Sequence, residues 1–146
     1  MIGGNGPRLL ALAAREADIV ALTGVTFTDG GTGRDFSGFT ATGTDERMRW
    51  IREAAGARFS QLELSALVQS VTLGDDRRRA AEAFVAARPA LSVASALDSP
   101  YVLFDSVEAI VDALRERRAR WGLSYYVVME PALETFAPVV ARLAGT

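Results

Sequence analysis

Residues 1–24 decide the fold and read MIGGNGPRLLALAAREADIVALTG. Two apolar residues lead into a glycine cluster, Gly3-Gly4-Asn5-Gly6, and Pro7 follows it. Proline is favoured at the first position of a helix because its missing N–H needs no partner there. Apolar residues then recur at helical spacing and predict a helix from about Pro7 to Glu16. Residues 17–22 are a short apolar run, typical of a buried parallel strand. The segment therefore predicts strand, glycine turn, helix and strand, with the first strand truncated.

The middle of the chain continues this alternation. A loop rich in Gly and Thr spans residues 23–43, and a loop of that length in a compact domain is usually functional or mobile. A helix capped by Thr42 or Thr44 is then expected to end at Gly56. Residues 62–72 form the longest predicted strand, because apolar residues run almost unbroken along them.

The last part of the chain predicts three helical stretches, a strand and a final helix. The third of these stretches begins with a capping box, with Asp105 as the cap and Glu108 reaching back, and Gly122 is its C-cap. Residues 124–129 are the last predicted strand. Strands that alternate with helices indicate a parallel sheet with helices outside it. About four βα units make half of an eight-unit barrel, and an open α/β sheet is the alternative.

The composition excludes several kinds of chemistry. The 146 residues are 49% hydrophobic and 23% charged, with a net charge of -2, which fits one soluble globular domain over residues 1–146. This charge gives no reason to expect nucleic acid or an anionic membrane as a partner. The chain has no Cys or His, and all 16 basic residues are Arg, so thiolate, imidazole and Schiff-base sites are excluded and no metal site is predicted. No apolar run is long enough to span a membrane, and we expect a cytoplasmic protein.

The glycine cluster is the sharpest candidate site. Glycines between a strand and a helix let the backbone approach a ligand, and the helix N-terminus favours an anion, so the turn suits a phosphate. The cluster is not the dinucleotide fingerprint, because its third glycine position holds Leu9, and a Walker A loop would need a Lys. Thr23-Gly24 ends the next strand and could complete the site. For both segments an ordinary turn is the alternative. Arg8 could reach the same anion or could be a solvated surface residue.

No set of catalytic residues is recognisable. Asp29 and Asp35 lie in the long loop and cannot be oriented from the sequence. Tyr125 and Tyr126 adjoin in the last predicted strand, so one ring points to each face of the sheet. The catalytic residues are therefore unknown, and the chain has the features of a ligand-binding unit.

Three stretches of the sequence resemble the luciferase-like monooxygenase superfamily, and in particular its F420-dependent oxidoreductase branch. The first, residues 2–24, is similar to a strand, glycine turn, helix and strand of that family. WIREAAGARFSQLELSALVQSV at residues 50–71 resembles the next helix and strand, and DSVEAIVDALRERRARWGLSYYVVMEP at residues 105–131 resembles the final helix and strand. The likeness covers nearly the whole chain in the expected order.

The resemblance implies the C-terminal half of a (β/α)8 barrel. It implies coenzyme F420 as the cofactor, with FMN as the alternative, and hydride transfer to or from a small organic substrate. By position, the cofactor phosphate would be held by Gly3, Gly4, Asn5 and Gly6, with Thr23 and Gly24. The family's catalytic residues come mainly from the other half, so we expect this chain alone to be inactive. We expect a homo-oligomer or a separate N-terminal half-barrel as partner. The competing interpretation is a non-catalytic half-barrel that self-associates.

Overall fold

A computed structural model of the protein describes residues 1–144, which contain eight strands and six α-helices, with short 3-10 turns between some of them. The strands are β1 (Ile2–Gly4), β2 (Ile19–Leu22), β3 (Thr26–Thr28), β4 (Gly33–Asp35), β5 (Glu63–Val68), β6 (Ser70–Leu73), β7 (Val102–Asp105) and β8 (Leu123–Val128). The helices are α1 (Pro7–Glu16), α2 (Ala41–Ala55), α3 (Arg77–Ala86), α4 (Val93–Leu97), α5 (Val107–Trp121) and α6 (Leu133–Leu143). None of these helices is long and apolar enough to cross a membrane.

The main sheet has four parallel strands in the order β1-β2-β5-β8. One row of paired residues, Gly4, Leu22, Ala66 and Tyr126, runs across all four strands. The predicted parallel α/β arrangement is therefore confirmed, with β1 short as expected. The strands predicted at residues 17–22 and 124–129 correspond to β2 and β8 within one or two residues.

Helices cover one face of this sheet. Val20 and Leu22 of β2 are fully buried, as are Leu10 of α1 and Ile51 of α2, and all four belong to the larger hydrophobic core. Side chains alternate between the faces of a strand, so Ala21 points away from these helices and is only half-buried. A second, smaller core lies under α5 and α6, where their side chains pack around Val68.

The strand predicted over residues 62–72 is two strands. β5 pairs with β2 and β8, whereas β6 pairs with β7 in a separate two-stranded parallel sheet. The change of partner occurs at Gln69, whose backbone N–H donates to the backbone carbonyl of Tyr101 at 2.7 Å. The hydrophobic pattern does not mark this change, because both strands are apolar. β7 was missed as well: its four residues stand between Pro100 and a helix cap, too few to show a period.

The long loop contains structure of its own, and two caps differ from the prediction. β3 and β4 pair as an antiparallel hairpin within residues 23–43. Thr40, rather than Thr42 or Thr44, caps α2, because its hydroxyl accepts from the Gly43 amide at 3.1 Å. Ser106, rather than Asp105, caps α5 by accepting from the amide of Ala109. Neighbouring polar residues compete for a cap, and the backbone path decides between them.

Candidate functional site

The glycine turn lies at the carboxyl edge of the main sheet. β1 ends at Gly4, Asn5 and Gly6 form the turn, and α1 begins at Pro7. Gly4 pairs in register with Leu22, the last residue of β2. The residues that follow the two strands, Asn5 and Thr23, therefore emerge side by side. The structure thus brings the two predicted segments, residues 3–6 and 23–24, to one place.

The turn carries backbone donors that the fold does not use. Within residues 1–144 no acceptor is present for the amides of Asn5, Gly6, Arg8 and Leu9, and the first helical bond of α1 runs from the Leu10 amide to the Gly6 carbonyl at 3.0 Å. Such amides concentrate partial positive charge at a helix N-terminus, and no acidic residue lies in the first turn of α1 to offset it. A Cβ built on Gly6 would meet nothing within 4 Å. The turn is therefore open to a ligand and suited to an anion.

The side chain of Asn5 has a structural role. It is buried, and its amide nitrogen donates to the Thr26 hydroxyl of β3 at 3.0 Å. Its carbonyl oxygen accepts from Nε of Arg47 at 2.9 Å. Both ends of the side chain are therefore engaged within the protein, and the side chain holds the turn against β3 and α2.

Arg47 connects the turn to α2 and to the long loop. It is 3% exposed, and besides Asn5 it donates to the Gly43 carbonyl at 2.9 Å and to the Ser37 hydroxyl at 2.8 Å. Its guanidinium lies 5.2 Å from the ring centroid of Trp50. The acidic group bonded to it is the exposed Glu46, at 3.3 Å. A buried cation held mainly by neutral oxygens adds positive potential beneath the turn.

The neighbourhood of Ser37 also holds an ionised carboxylate. The Ser37 amide and hydroxyl both donate to Asp35, and these bonds hold the pKa of Asp35 below its usual value, with Arg47 adding to the effect. Asp35 is exposed and remains charged at neutral pH. Its charge fixes the loop conformation at Ser37, which in turn positions Arg47.

Contacts within the protein explain the conformations of Thr23 and Gly24. The Thr23 hydroxyl donates to the Val25 carbonyl at 2.9 Å, and the Thr23 carbonyl accepts from Gln69 at 3.2 Å. Thr23 would have to exchange its bond with Val25 to donate to a phosphate. Gly24 has φ of 71°, and a Cβ there would lie 2.5 Å from the ring of Tyr101. A glycine is therefore required at residue 24 for structural reasons alone.

Tyr101 and Tyr126 are the titratable groups most strongly perturbed. Burial raises the pKa of each to about 12, and the hydrogen bond between Tyr101 and Thr44 opposes part of this shift. Both phenols therefore stay neutral at physiological pH. Neither is suited to act as a general base, which requires a pKa near the working pH.

A cavity of about 490 Å³ lies between α4, β7 and α5 rather than at the glycine turn. Arg117 lines it and donates to the carbonyls of Pro100 at 2.9 Å, Val102 at 3.2 Å and Ser99 at 3.3 Å. Burial lowers the pKa of Arg117 from its usual value. The guanidinium is thus used to tie the start of β7 to α5. None of residues 3–6 or 23–24 lines this cavity.

Sequence reasoning missed Arg47, Thr26 and Tyr101 as neighbours of the turn. Arg47 lies in a charged segment of α2 that has the composition of a solvated surface. Tyr101 belongs to the stretch before the unrecognised strand β7. The unusual glycine content of residues 24–43 was the one available signal, since close backbone approach is a common reason for glycine.

No model of a known protein family and no curated protein matches the chain. Solved structures do. The coenzyme F420-dependent tetrahydromethanopterin reductase from Methanopyrus kandleri matches with a TM-score of 0.60 and 14% identity over 96% of this chain. A long-chain alkane monooxygenase (LadA) matches with 0.59 and 13% over 97%. An F420-dependent secondary alcohol dehydrogenase in complex with an F420-acetone adduct matches with 0.53 and 15% over 86%.

These matches establish a shared fold. The resemblance to the luciferase-like superfamily, stated above on three stretches of sequence, is confirmed at that level. The chain spans 41%, 48% and 39% of the dehydrogenase, the reductase and the monooxygenase, respectively.

Proposed function

We propose that this chain forms the cofactor phosphate-binding part of an oxidoreductase that transfers a hydride between coenzyme F420 and a small organic substrate. The observation that carries the proposal is the open turn at residues 4–6, whose unused amides stand at the N-terminus of α1. Two of the three solved neighbours are described as F420-dependent. In this proposal the four parallel strands of the main sheet are the C-terminal half of a (β/α)8 barrel.

The residues of the turn fit a phosphate better than they fit the other part of a cofactor. The amides of Gly6, Arg8 and Leu9 supply donors, the dipole of α1 supplies positive potential, and Arg8 is exposed beside them without an ion pair to a described residue. Arg47 holds Asn5 and so keeps the turn in its open shape. Charge-assisted bonds of this kind each contribute about 1.5–3 kcal/mol.

The deazaflavin ring supplies the hydride chemistry when the cofactor is bound. In this proposal the chain contributes binding and orientation of the cofactor through the turn. FMN is the second candidate, because the third neighbour is a monooxygenase. The two cofactors share the phosphate group, and the turn has no feature that distinguishes their rings.

The proposal is tested with a side chain that the fold tolerates and a ligand does not. Gly6→Val fills the open space above the turn, and its backbone angles, φ of -89° and ψ of 153°, are ordinary for valine. The matched control is Gly74→Val, which also fills open space before a helix, α3. F420 and FMN binding is followed by fluorescence titration of the 146-residue chain. We expect Gly6→Val to weaken binding by about ten- to a hundredfold and the control to leave it unchanged.

Two further variants address the remaining predicted residues. Thr23→Val removes a hydroxyl that donates to the Val25 carbonyl and that, in this proposal, donates to the phosphate instead when the cofactor binds. Gly4→Val is a less specific test, because the new Cβ would clash with Cδ2 of Leu9 and displace that side chain. Unchanged affinity in folded Gly6→Val would show that the turn has no ligand.

A further inference from the structure

The large hydrophobic side chains left exposed are concentrated at the two lateral edges of the main sheet. Among residues 1–144 there are eight of them, and seven lie in β1, α1, β8 or α6, directly before β1, or in the turn between β8 and α6. They are Met1, Leu9, Leu12, Tyr125, Met129, Leu133 and Val140. The eighth, Phe27, lies on the β3–β4 hairpin. Scattered exposed apolar residues need no explanation, but this distribution does.

The helices at these edges have apolar stripes wider than the surface they pack against. In α1, Leu10 and Ala13 are fully buried, while Leu9 and Leu12 continue the stripe to one side and are 43% and 44% exposed. In α6, Val139 is fully buried, and Val140 on the flank of the stripe is 51% exposed. Each edge helix therefore presents an apolar flank that nothing in the described chain covers.

The strands at the edges are free as well. β1 and β8 each pair with one neighbour, β2 and β5, and all four strands are parallel. Within residues 1–144 no strand pairs with the outer sides of the two edge strands, whose backbone donors and acceptors readily pair with another strand. A row that points away from α1 and α2 crosses the sheet from the exposed Gly3, through the half-buried Ala21 and the buried Ser65, to Tyr125, which is 40% exposed. Parallel sheets are normally covered on both faces.

The chain exposes more area than a monomer of its mass is expected to expose. A monomeric protein of this size is expected to expose about 7,250 Å². The chain, of 15.6 kDa, exposes 7935 Å². The excess of about 700 Å² is close to the roughly 800 Å² that each partner contributes to a stable interface.

We infer that two copies of this chain associate head to tail, with β8 and α6 of one copy against β1 and α1 of the other. The two edges differ, so each copy offers one of each, and two such contacts close a ring of eight parallel strands. The arrangement pairs both free strands, packs the α6 flank on the α1 flank and covers the inner face of each sheet. It stands independently of the cofactor, because none of its contacts involves the amides of the glycine turn.

The first test is the mass of the purified 146-residue chain by sedimentation velocity over a wide concentration range. We expect a dimer of twice 15.6 kDa. Leu12→Glu and Val140→Glu place a charge on each flank and should weaken the dimer by about tenfold or more. Phe27→Glu is the control, since Phe27 is more exposed (64%) than Leu12 or Val140 but lies away from both edges. Circular dichroism confirms that each variant is folded.

The second test determines how the two copies are oriented in the dimer. Because the chain contains no cysteine, single introduced cysteines can be cross-linked selectively. Leu12→Cys and Val140→Cys are prepared separately, then mixed and oxidised. Head-to-tail pairing predicts a disulfide-linked dimer in the mixture and little in either variant alone. A mixture of Leu12→Cys with Phe27→Cys should not cross-link. A monomer at all concentrations, larger open assemblies, or a dimer unaffected by both glutamate variants would overturn the inference.

Discussion

Replacement of Gly24 by alanine gives the most direct test of the packing around the site. Gly24 has φ of 71°, a left-handed conformation that costs a residue with a side chain about 1–2 kcal/mol. The new Cβ would also lie 2.5 Å from Cδ2 of Tyr101 and 2.8 Å from two further ring atoms. Tyr101 is fully buried, so its ring cannot move aside without repacking, which costs about 1–3 kcal/mol more. We expect Gly24→Ala to lower the free energy of unfolding by about 2–5 kcal/mol.

The measurement is urea unfolding followed by the fluorescence of Trp50 and Trp121. Two control variants separate the contributions. Gly30→Ala has a similar φ of 67° with open space around the Cβ, and should cost about 1 kcal/mol. Gly74→Ala has neither positive φ nor a close contact, and should change stability by less than about 0.5 kcal/mol. If Gly24→Ala lowers the free energy of unfolding by no more than Gly30→Ala does, the ring of Tyr101 does not pack against Gly24 as described.

Three other predictions concern the hydrogen bonds of Arg47, the phenols of Tyr101 and Tyr126, and catalysis. Arg47→Met removes the donor to the buried Asn5 Oδ1 and one donor to the Gly43 carbonyl, and should lower stability by about 2–4 kcal/mol in the same urea assay; an unchanged midpoint would show that these bonds are dispensable. Because the folded pKa of Tyr101 and Tyr126 is raised to about 12 from 10.0, their contribution to stability is complete below pH 10 and is lost as the pH rises toward 12. Ultraviolet absorbance of phenolate during alkaline titration checks this, and ionisation of both groups near pH 10 in the folded protein would contradict it. The chain alone should not turn over organic substrates with F420 or FMN, because no described acid or base is placed for catalysis; cofactor-dependent turnover would show that association builds a site.

The parts of the fold that the sequence predicted are those set by local chemistry. Two local signals mark α1 within ten residues of sequence. One is Pro7 directly after the glycine cluster, and the other is the helical spacing of Leu10, Ala13 and Ala14. Gly122, with φ of 79°, ends α5 as its left-handed C-cap. The order of strands and helices then predicted a parallel sheet, because the connections between parallel strands must cross its face.

The parts that it did not predict depend on contacts distant in sequence. The bond between Arg47 and Asn5 joins residues 42 positions apart, and no pattern in either segment indicates it. Likewise, Gln69 changes the partner of its strand because it meets Tyr101, which lies across two helices and a loop. The candidate site was located by its glycines, whereas the side chains that shape it were found only in the fold.

The most direct test of the proposed function compares ligands with and without the phosphate. F420 is matched with its phosphate-free deazaflavin chromophore, and FMN with riboflavin, in fluorescence titrations of the same chain under identical salt. If the amides of Gly6, Arg8 and Leu9 hold the phosphate, F420 should bind about ten- to a hundredfold more tightly than its phosphate-free form. The same ratio for FMN over riboflavin would favour the second cofactor. Equal affinity within both pairs, or no binding of any of the four, would contradict the account.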